Sequence, residues 1–559
     1  MSKARDLANF SAATGVVDAD IGVNVQAYDA TILVDADIGV NVQAYDSNLT
    51  SFVSTFTLPT TDGSDTQLLK TNGSGTLSFV TPAPGAGVAT ATASGALANG
   101  DLVVVNADGT VSVVAGSSVT QAIGTAVVFE SARSDWISAI YDANAQKVVI
   151  AYKDVGNSSY GTAIVGTVSG TSISFGTAVV FQSASSNHIS ATYDSNAQKV
   201  VIAYRDGGNS EYGTAIVGTV SGTSISFGTA VVFESVFSYN MSATYDANAQ
   251  KVVIAYTDNG NSDYGTAIVG TVSGTSISFG TAVVFESANS SNISATYDAN
   301  AQKVVIAYMD NGNSQYGTVI VGTVSGTVIS FGTAVVFQSA SSNNISATYD
   351  SNAQKVVIAY RDGGNSEYGT AIVGAVSGTS ISFGTAVVFE SATSVYVSAT
   401  YDSNAQKVVI TYRDDGNSYY GTVIVGTVSG TSISFGTAVV FESDYSIYIS
   451  ATYDANAQKV VIAYRDGGNS TYGTSVVLQN AFVSTNLTAT NYIGISDAIY
   501  SDTATATIQT VGSVDDAQSS LTAGTAYYVQ RDGTLATTAD TISVLAGTAL
   551  SATKLIIKG

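Results

Sequence analysis

The stretch "YDANAQKVVIAY" (residues 141–152) returns, whole or nearly so, at Tyr193, Tyr245, Tyr297, Tyr349, Tyr401 and Tyr453, with a period of 52 residues each time. Self-similarity at a fixed period of this size marks a solenoid, a propeller or an array, where each unit buries apolar surface against the next. Every unit reads as four short strands, "ISATYD", "KVVIAYRD", "YGTAIVGTV" and "SISFGTAVVF", rich in β-branched and aromatic residues. The joints "ANAQ", "GGNS" and "SGT" are turn sequences, and nothing in the unit has helical caps or a helical period. Gly is common and Pro rare, 54 against 3 in 559 residues, which suits many tight turns between strands.

The two ends of the array fit together. It starts with a lone "IGTAVVF" (residues 123–129), equivalent to "FGTAVVF" at 175–181, and stops after "TYGTSVVLQ" (residues 471–479) without a following "SISFGTAVVF". The last unit thus lacks a fourth strand and the chain arrives with one to spare; pairing them satisfies both open edges. The predicted fold is all-β: a seven-bladed β-propeller of 52-residue four-stranded blades, closed by pairing of N- and C-terminal strands, with β-rich flanking domains. In strand order and turn placement the unit resembles propeller repeats of the Trp-Asp type, although that signature itself is missing. The turn "RDGGNSEYG" (residues 205–213) resembles the Asp-box of sialidases, with Asp206, Gly208 and Ser210 in step and Tyr212 one place late. Both resemblances imply architecture and carry over no active site.

The copies differ in two places. In the loop expected to join strand four to the next unit, one column reads Trp136, His188, Asn240, Asn292, Asn344, Tyr396, Tyr448, so the sole Trp and sole His of the chain are equivalent. Two positions earlier stands an unvarying serine, Ser134 and its counterparts, between columns that change freely: Arg133, Phe237 and Tyr445 belong to one, Asp135, Asn187 and Tyr239 to the other. The second place is the turn between strands two and three, which begins with Lys153, Arg205, Arg361, Arg413 or Arg465 before a fixed Asp and ends in a column that includes Glu211 and Tyr419. Alternate connections of antiparallel strands emerge at the same edge, so both variable places share one face while the constant turns "YDANAQ" and "VSGT" share the other. Drift of surface loops would alter both faces. The replacements are Tyr, Trp, Phe, Asn, Ser and Arg, the residue types of binding surfaces. The basic residues suit carboxylate or phosphate groups on a glycan, or else pair locally with the aspartate that follows each.

Composition narrows the function. A net charge of −23 repels nucleic acid, the lack of Cys removes disulfides and thiolate chemistry, and no apolar run is long enough for membrane insertion. No metal or other cofactor is expected: "DGGNS" offers oxygens for calcium, but turn geometry accounts for its Asp and Gly. The acids that recur, such as Asp142 and Asp206, recur in every unit, whereas a catalytic constellation occurs once; the chain reads as no enzyme.

The flanks complete the reading. Residues 1–57 contain "VDADIGVNVQAYD" twice, at Val17 and Val34, which suggests a fibrous or homo-oligomeric stalk. Residues 58–88 read as a linker with a small hairpin, 123–479 as the propeller, and 89–122 with 480–559 as two halves expected to fold together, each carrying an Asp-Gly hairpin. "MSKARDLANF", the paired "DADIGVNVQAYD", "TDGSDTQLLKTNGSGTLSFV" and the C-terminal "GSVDDAQSSLTAGTAYYVQRDGTLATT" resemble tail-fibre and other virion-surface proteins of bacteriophages, especially marine ones. That resemblance implies a place on the virion surface, on tail or capsid, contact with other virion proteins through the N-terminal segment, and recognition of a host cell-surface glycan or protein by a distal module. A glycan-cleaving enzyme of the tailspike or sialidase sort and a purely structural decoration protein are the alternatives.

Overall fold

The computed structural model describes residues 68–71, 76–80, 87–540 and 542–558. The 17-residue repeats of the N-terminal segment lie outside these. The described residues are all-β, built of repeated four-stranded blades, with only two three-residue 3-10 turns among them, Asn259–Asn261 and Asn311–Asn313, inside the array.

In the first unit the inner strand is the C-terminal half of Val127–Asp142, followed by Lys147–Asp154, Tyr160–Ser169 and an outer strand. The outer strand differs from its sequence-based reading. "SISFGTAVVF" is two pieces, Ser172–Phe175 and the start of Val179–Asp194, both paired with Tyr160–Ser169. At the break a Cβ on Gly176 would lie 1.8 Å from the Thr223 carbonyl oxygen, so the next unit's "VSGT" turn packs there on backbone that only Gly can offer. The link to the next unit differs too. No loop separates strand four from the next inner strand; Val179–Asp194 is one extended segment whose start pairs with Tyr160–Ala163 and whose end pairs with Lys199–Asp206.

The sequence run "VVIAY" of the second strand explains why units need neighbours. Val148, Val149, Ile150, Ala151 and Tyr152 are all buried, on both faces of the sheet. Val149 and Ala151 pack with Ile189, Val200 and Ile202 of the following unit, while Val148, Ile150 and Tyr152 pack with Val461, Ala463 and Val477 of the last. Equivalent clusters join each intervening pair. The inner strands are tied in the same cyclic way: Ser138 Oγ accepts from Ala191 N at 3.0 Å, the bond recurs unit by unit, and Ser450 Oγ accepts from Ala139 N at 3.0 Å. Tyr472–Gln479 pairs with Ala122–Ile123 and with the start of Val127–Asp142, so the strand order returns on itself.

The chain enters and leaves this array at the edge of the constant turns. Asn480, the first residue after it, donates from Nδ2 to Asp402 Oδ2 in a "YDSNAQ" turn at 2.7 Å. Beyond, strands from the two flanks share one sheet, in the order Val88–Thr92, Thr505–Gln509, Tyr492–Ser496, Leu102–Val105, Val111–Val113. A shared core includes Leu102, Val104 and Val114 with Ile495, Tyr527, Val529 and Leu555.

Six of the seven "FGTA"-type glycines meet a Thr carbonyl of the next unit, but Gly436 has no such turn ahead of it and its nearest atom is Val425 O at 3.8 Å. Gly228→Ala, whose Cβ would lie 1.8 Å from Thr275 O, should destabilise by at least about 2 kcal/mol. Gly436→Ala should stay within about 0.5 kcal/mol of the parent. Thermal or denaturant unfolding of the two variants checks this; equal effects would show that the turn-to-glycine contact is not what constrains the position.

Candidate functional site

The variable columns lie on the extended segment that passes from the outer strand of one unit to the inner strand of the next. Its middle is fixed by the constant serine. Ser186 is fully buried, its Oγ donates to Ala184 O at 3.3 Å, and a Cβ on Gly161 would meet that Oγ at 2.6 Å, so the position admits little else. Two residues later the backbone turns into the inner strand through a bulge, and the residue there adopts a left-handed conformation in every unit: φ is 51° at Trp136, 50° at His188, Asn240, Asn292 and Asn344, 53° at Tyr396 and 51° at Tyr448. The bulge appears as a register shift between Asp135 and Ser138 and its equivalents. Asn accepts such φ values readily and the larger residues less so; the surrounding ladder imposes them.

These seven side chains, with the apolar residue after each (Ile137, Ile189, Met241, Ile293, Ile345, Val397, Ile449), line a single cavity of about 250 Å³. Its wall is unequal. Tyr396, Tyr448, Trp136 and His188 form a chain of rings with centroids 5.4, 5.3 and 4.1 Å apart. Asn240, Asn292 and Asn344 make the remaining arc. Several polar members also bond along the ring: His188 Nδ1 accepts from Asn240 N at 3.2 Å, Asn292 Oδ1 from Asn344 N and Asn344 Oδ1 from Tyr396 N, both at 2.9 Å. Burial, with Arg205 nearby, pushes the His188 imidazole down to about 3, so it is neutral and its proton sits on Nε2.

Farther from the cavity, aromatics stand exposed. Phe237 is 37% exposed and Tyr445 40%. Tyr239 lies between Phe237 and the cavity, 5.6 Å from the Phe237 ring and 6.0 Å from His188. Burial, then Asp263, raises its phenol to about 12. Tyr419, 48% exposed, contacts Tyr445 at 5.7 Å, and the Arg413 guanidinium lies within 5.4 Å of the Tyr396, Tyr419 and Tyr445 rings. Tyr419 belongs to a column the sequence displays as variable, but only the structure joins it to Tyr445.

The basic residues form no free ring. Arg205 and Arg361 pair with Glu211 and Glu367 at 2.7 Å, Arg413 with Asp415 at 2.6 Å, and Arg465 with Asp135, which also holds Arg133 at 3.0 Å. Lys153 donates to Asn187 Oδ1 at 2.9 Å. Nor do the arginines pair with the aspartate that follows each of them, because that carboxylate caps its own turn: Asp206 Oδ1 accepts from Gly208 N at 2.8 Å and Asp362 Oδ1 from Gly364 N at 2.9 Å. The signal for the true partner was the spacing, since Glu occurs six residues after Arg in both units that have it. Among the described residues no three His, Cys, Asp or Glu side chains converge as a metal site would require.

No protein-family model matches the chain, and no curated protein matches it. Among solved structures it is similar to the BP39L lectin of Burkholderia pseudomallei, with 8% identity over 64% of this chain and 97% of that one and a TM-score of 0.44. A protein of unknown function from Dyadobacter fermentans shares 13% identity over 64% and 99%, with a TM-score of 0.42. The six-bladed fungal lectin of Aleuria aurantia shares 14% over 55% and 96%, with a TM-score of 0.36.

His188 is the sole histidine, so its titration is directly readable. Its ring resonances should keep the neutral form from pH 8 down to about pH 4. The unfolded chain protonates near pH 6.5 and the folded one near 3, so folding loses stability as pH falls through that window. His188→Asn, which restores the residue of three other units, should reduce this acid loss; an unchanged difference in unfolding midpoint between pH 6.5 and 4 would contradict it.

Proposed function

We propose that the array is a seven-bladed propeller, closed between its first and last units, that serves as a host-recognition adhesin by binding a cell-surface glycan on its variable face. The observation that carries the reading is the division of labour between faces. The constant turns at one edge receive the flanking domain through Asp402 and Asn480. The opposite edge combines a cavity walled by non-equivalent side chains with exposed Phe237, Tyr419 and Tyr445. Aromatic rings offer large contact area at small entropic cost, which is how binding surfaces gain energy. Closure is supported by the Ser450–Ala139 bond, by Asn456 N donating to Tyr141 Oη at 3.1 Å, and by the apolar cluster shared by the first and last units.

The flanks favour a virion-surface position, with the N-terminal segment joined to other virion proteins and the propeller distal. This rests on their sequence resemblance to bacteriophage tail-fibre and related proteins. The protein is a binder rather than an enzyme: its buried carboxylate neighbours, Glu130 with Asp154 and their equivalents, recur in five units rather than converging once.

Glycan-array and whole-cell binding by the full chain test the face. Replacing Phe237, Tyr419 and Tyr445 by Ser should lower cell binding at least about tenfold while the unfolding temperature holds. Undiminished binding after these changes and after substitution of Trp136, Tyr396 and Tyr448 would remove the face from consideration. Release of reducing sugar from host glycans by the purified chain would favour the glycan-cleaving alternative.

A further inference from the structure

The geometry points to the axial cavity as a single site for one neutral monosaccharide unit, the terminal residue of the glycan that the proposed adhesin grips. The inference rests on that adhesin reading and adds where, how many and what chemical class.

Sevenfold repetition would ordinarily provide equivalent sites, but this cavity belongs to all units at once, so there is one per chain. At about 250 Å³ it is below the roughly 300–1,000 Å³ of pockets for drug-sized ligands. It holds one sugar ring rather than a chain. The wall matches such a ring on two sides. A pyranose has an apolar C–H face and a rim of hydroxyls; here the aromatic arc of Tyr396, Tyr448, Trp136 and His188 faces an arc of three amides.

The hydrogen bonds already made in the wall define what remains for an occupant. Asn292 and Asn344 each spend the side-chain oxygen on the next unit's backbone N–H, which leaves their NH2 donors. Asn240 donates from Nδ2 to Thr257 Oγ1 at 3.3 Å, which leaves its oxygen as an acceptor. His188 accepts at Nδ1 and so presents an Nε2–H donor. Hydroxyl groups, which donate and accept, suit this mixed set.

Charge argues against an acidic sugar. The nearest guanidinium groups, Arg205, Arg413 and Arg465, are committed to Glu211, Asp415 and Asp135. An anion entering the cavity would shed water while these guanidinium charges are already neutralised.

Trp136 is the only tryptophan of the chain and forms part of the wall, so its emission reports on the cavity without a label. The full chain is titrated with methyl glycosides of glucose, galactose, mannose, fucose and N-acetylglucosamine, and with glucuronate and N-acetylneuraminic acid as anionic probes. A saturable change is expected with at least one neutral probe, at one site per chain and with little dependence on salt. Asn292→Asp keeps the oxygen that Asn344 N–H needs but removes the donors, and should weaken that response at least about tenfold. Silence with every neutral probe to tens of millimolar, a response to the anions alone, or an unaffected Asn292→Asp variant would overturn the inference. Cell binding separates the two readings. If the chain still binds cells while Trp136 stays silent, the adhesin stands and the axial site falls; if it binds no cell or glycan yet Trp136 responds, the adhesin reading falls instead. The unmodified chain's titration decides the matter even where a variant does not fold.

Discussion

The double-sided burial of the second strand is the constraint from which the rest follows. A strand whose five central residues are all buried cannot belong to a sheet with one wet face; it needs a neighbour on each side. No unit can therefore stand alone, and a row of units would leave two apolar faces exposed at its ends. Bringing Val461 and Val477 onto Val148 and Ile150 removes both. Interfaces of one kind between neighbouring units then stabilise the array together, as in repeat proteins, where stability is a sum of units and their contacts.

This constraint also sorts residues into those that can change and those that cannot. Gly176 is held by the carbonyl of the next unit's turn, Ser186 by the fold-over of the crossing segment, and Tyr152 by its core and by Glu130, whose carboxylate accepts its hydroxyl at 3.0 Å. In two units Gln182 and Gln338 replace that Glu and donate instead to Asp206 and Asp362 at 2.7 and 2.6 Å. The residue at the bulge is less constrained because its side chain lines the cavity instead of a fully packed core.

Much of this could be read from the sequence because it is local and repeated. The 52-residue period fixes strand positions, "ANAQ" and "SGT" fix turns, and alternation of edges places Trp136 and Lys153 on one face. What could not be read depends on contacts between units. Gly176, at the break in "SISFGTAVVF", packs on Thr223 of the following unit, and the extended crossing that carries Trp136 reads as a loop because polar residues crowd it. The arginines were harder still. Their partners lie six residues on, two residues on, or, for Arg465, in the first unit, so adjacency in sequence misdirected the pairing toward Asp206 and its equivalents. The cavity itself, and the way its aromatic members gather on one side, emerges only when Tyr448 of the last unit meets Trp136 of the first.

The left-handed bulge has a consequence for how such a molecule can change over generations. Trp, His, Asn and Tyr all occupy it at φ values within a few degrees of one another, so one backbone geometry carries all four, Asn most readily. Because the surrounding stretches are nearly identical and keep the same register from unit to unit, replacing one wall residue by that of another unit leaves the strand pairing as it is.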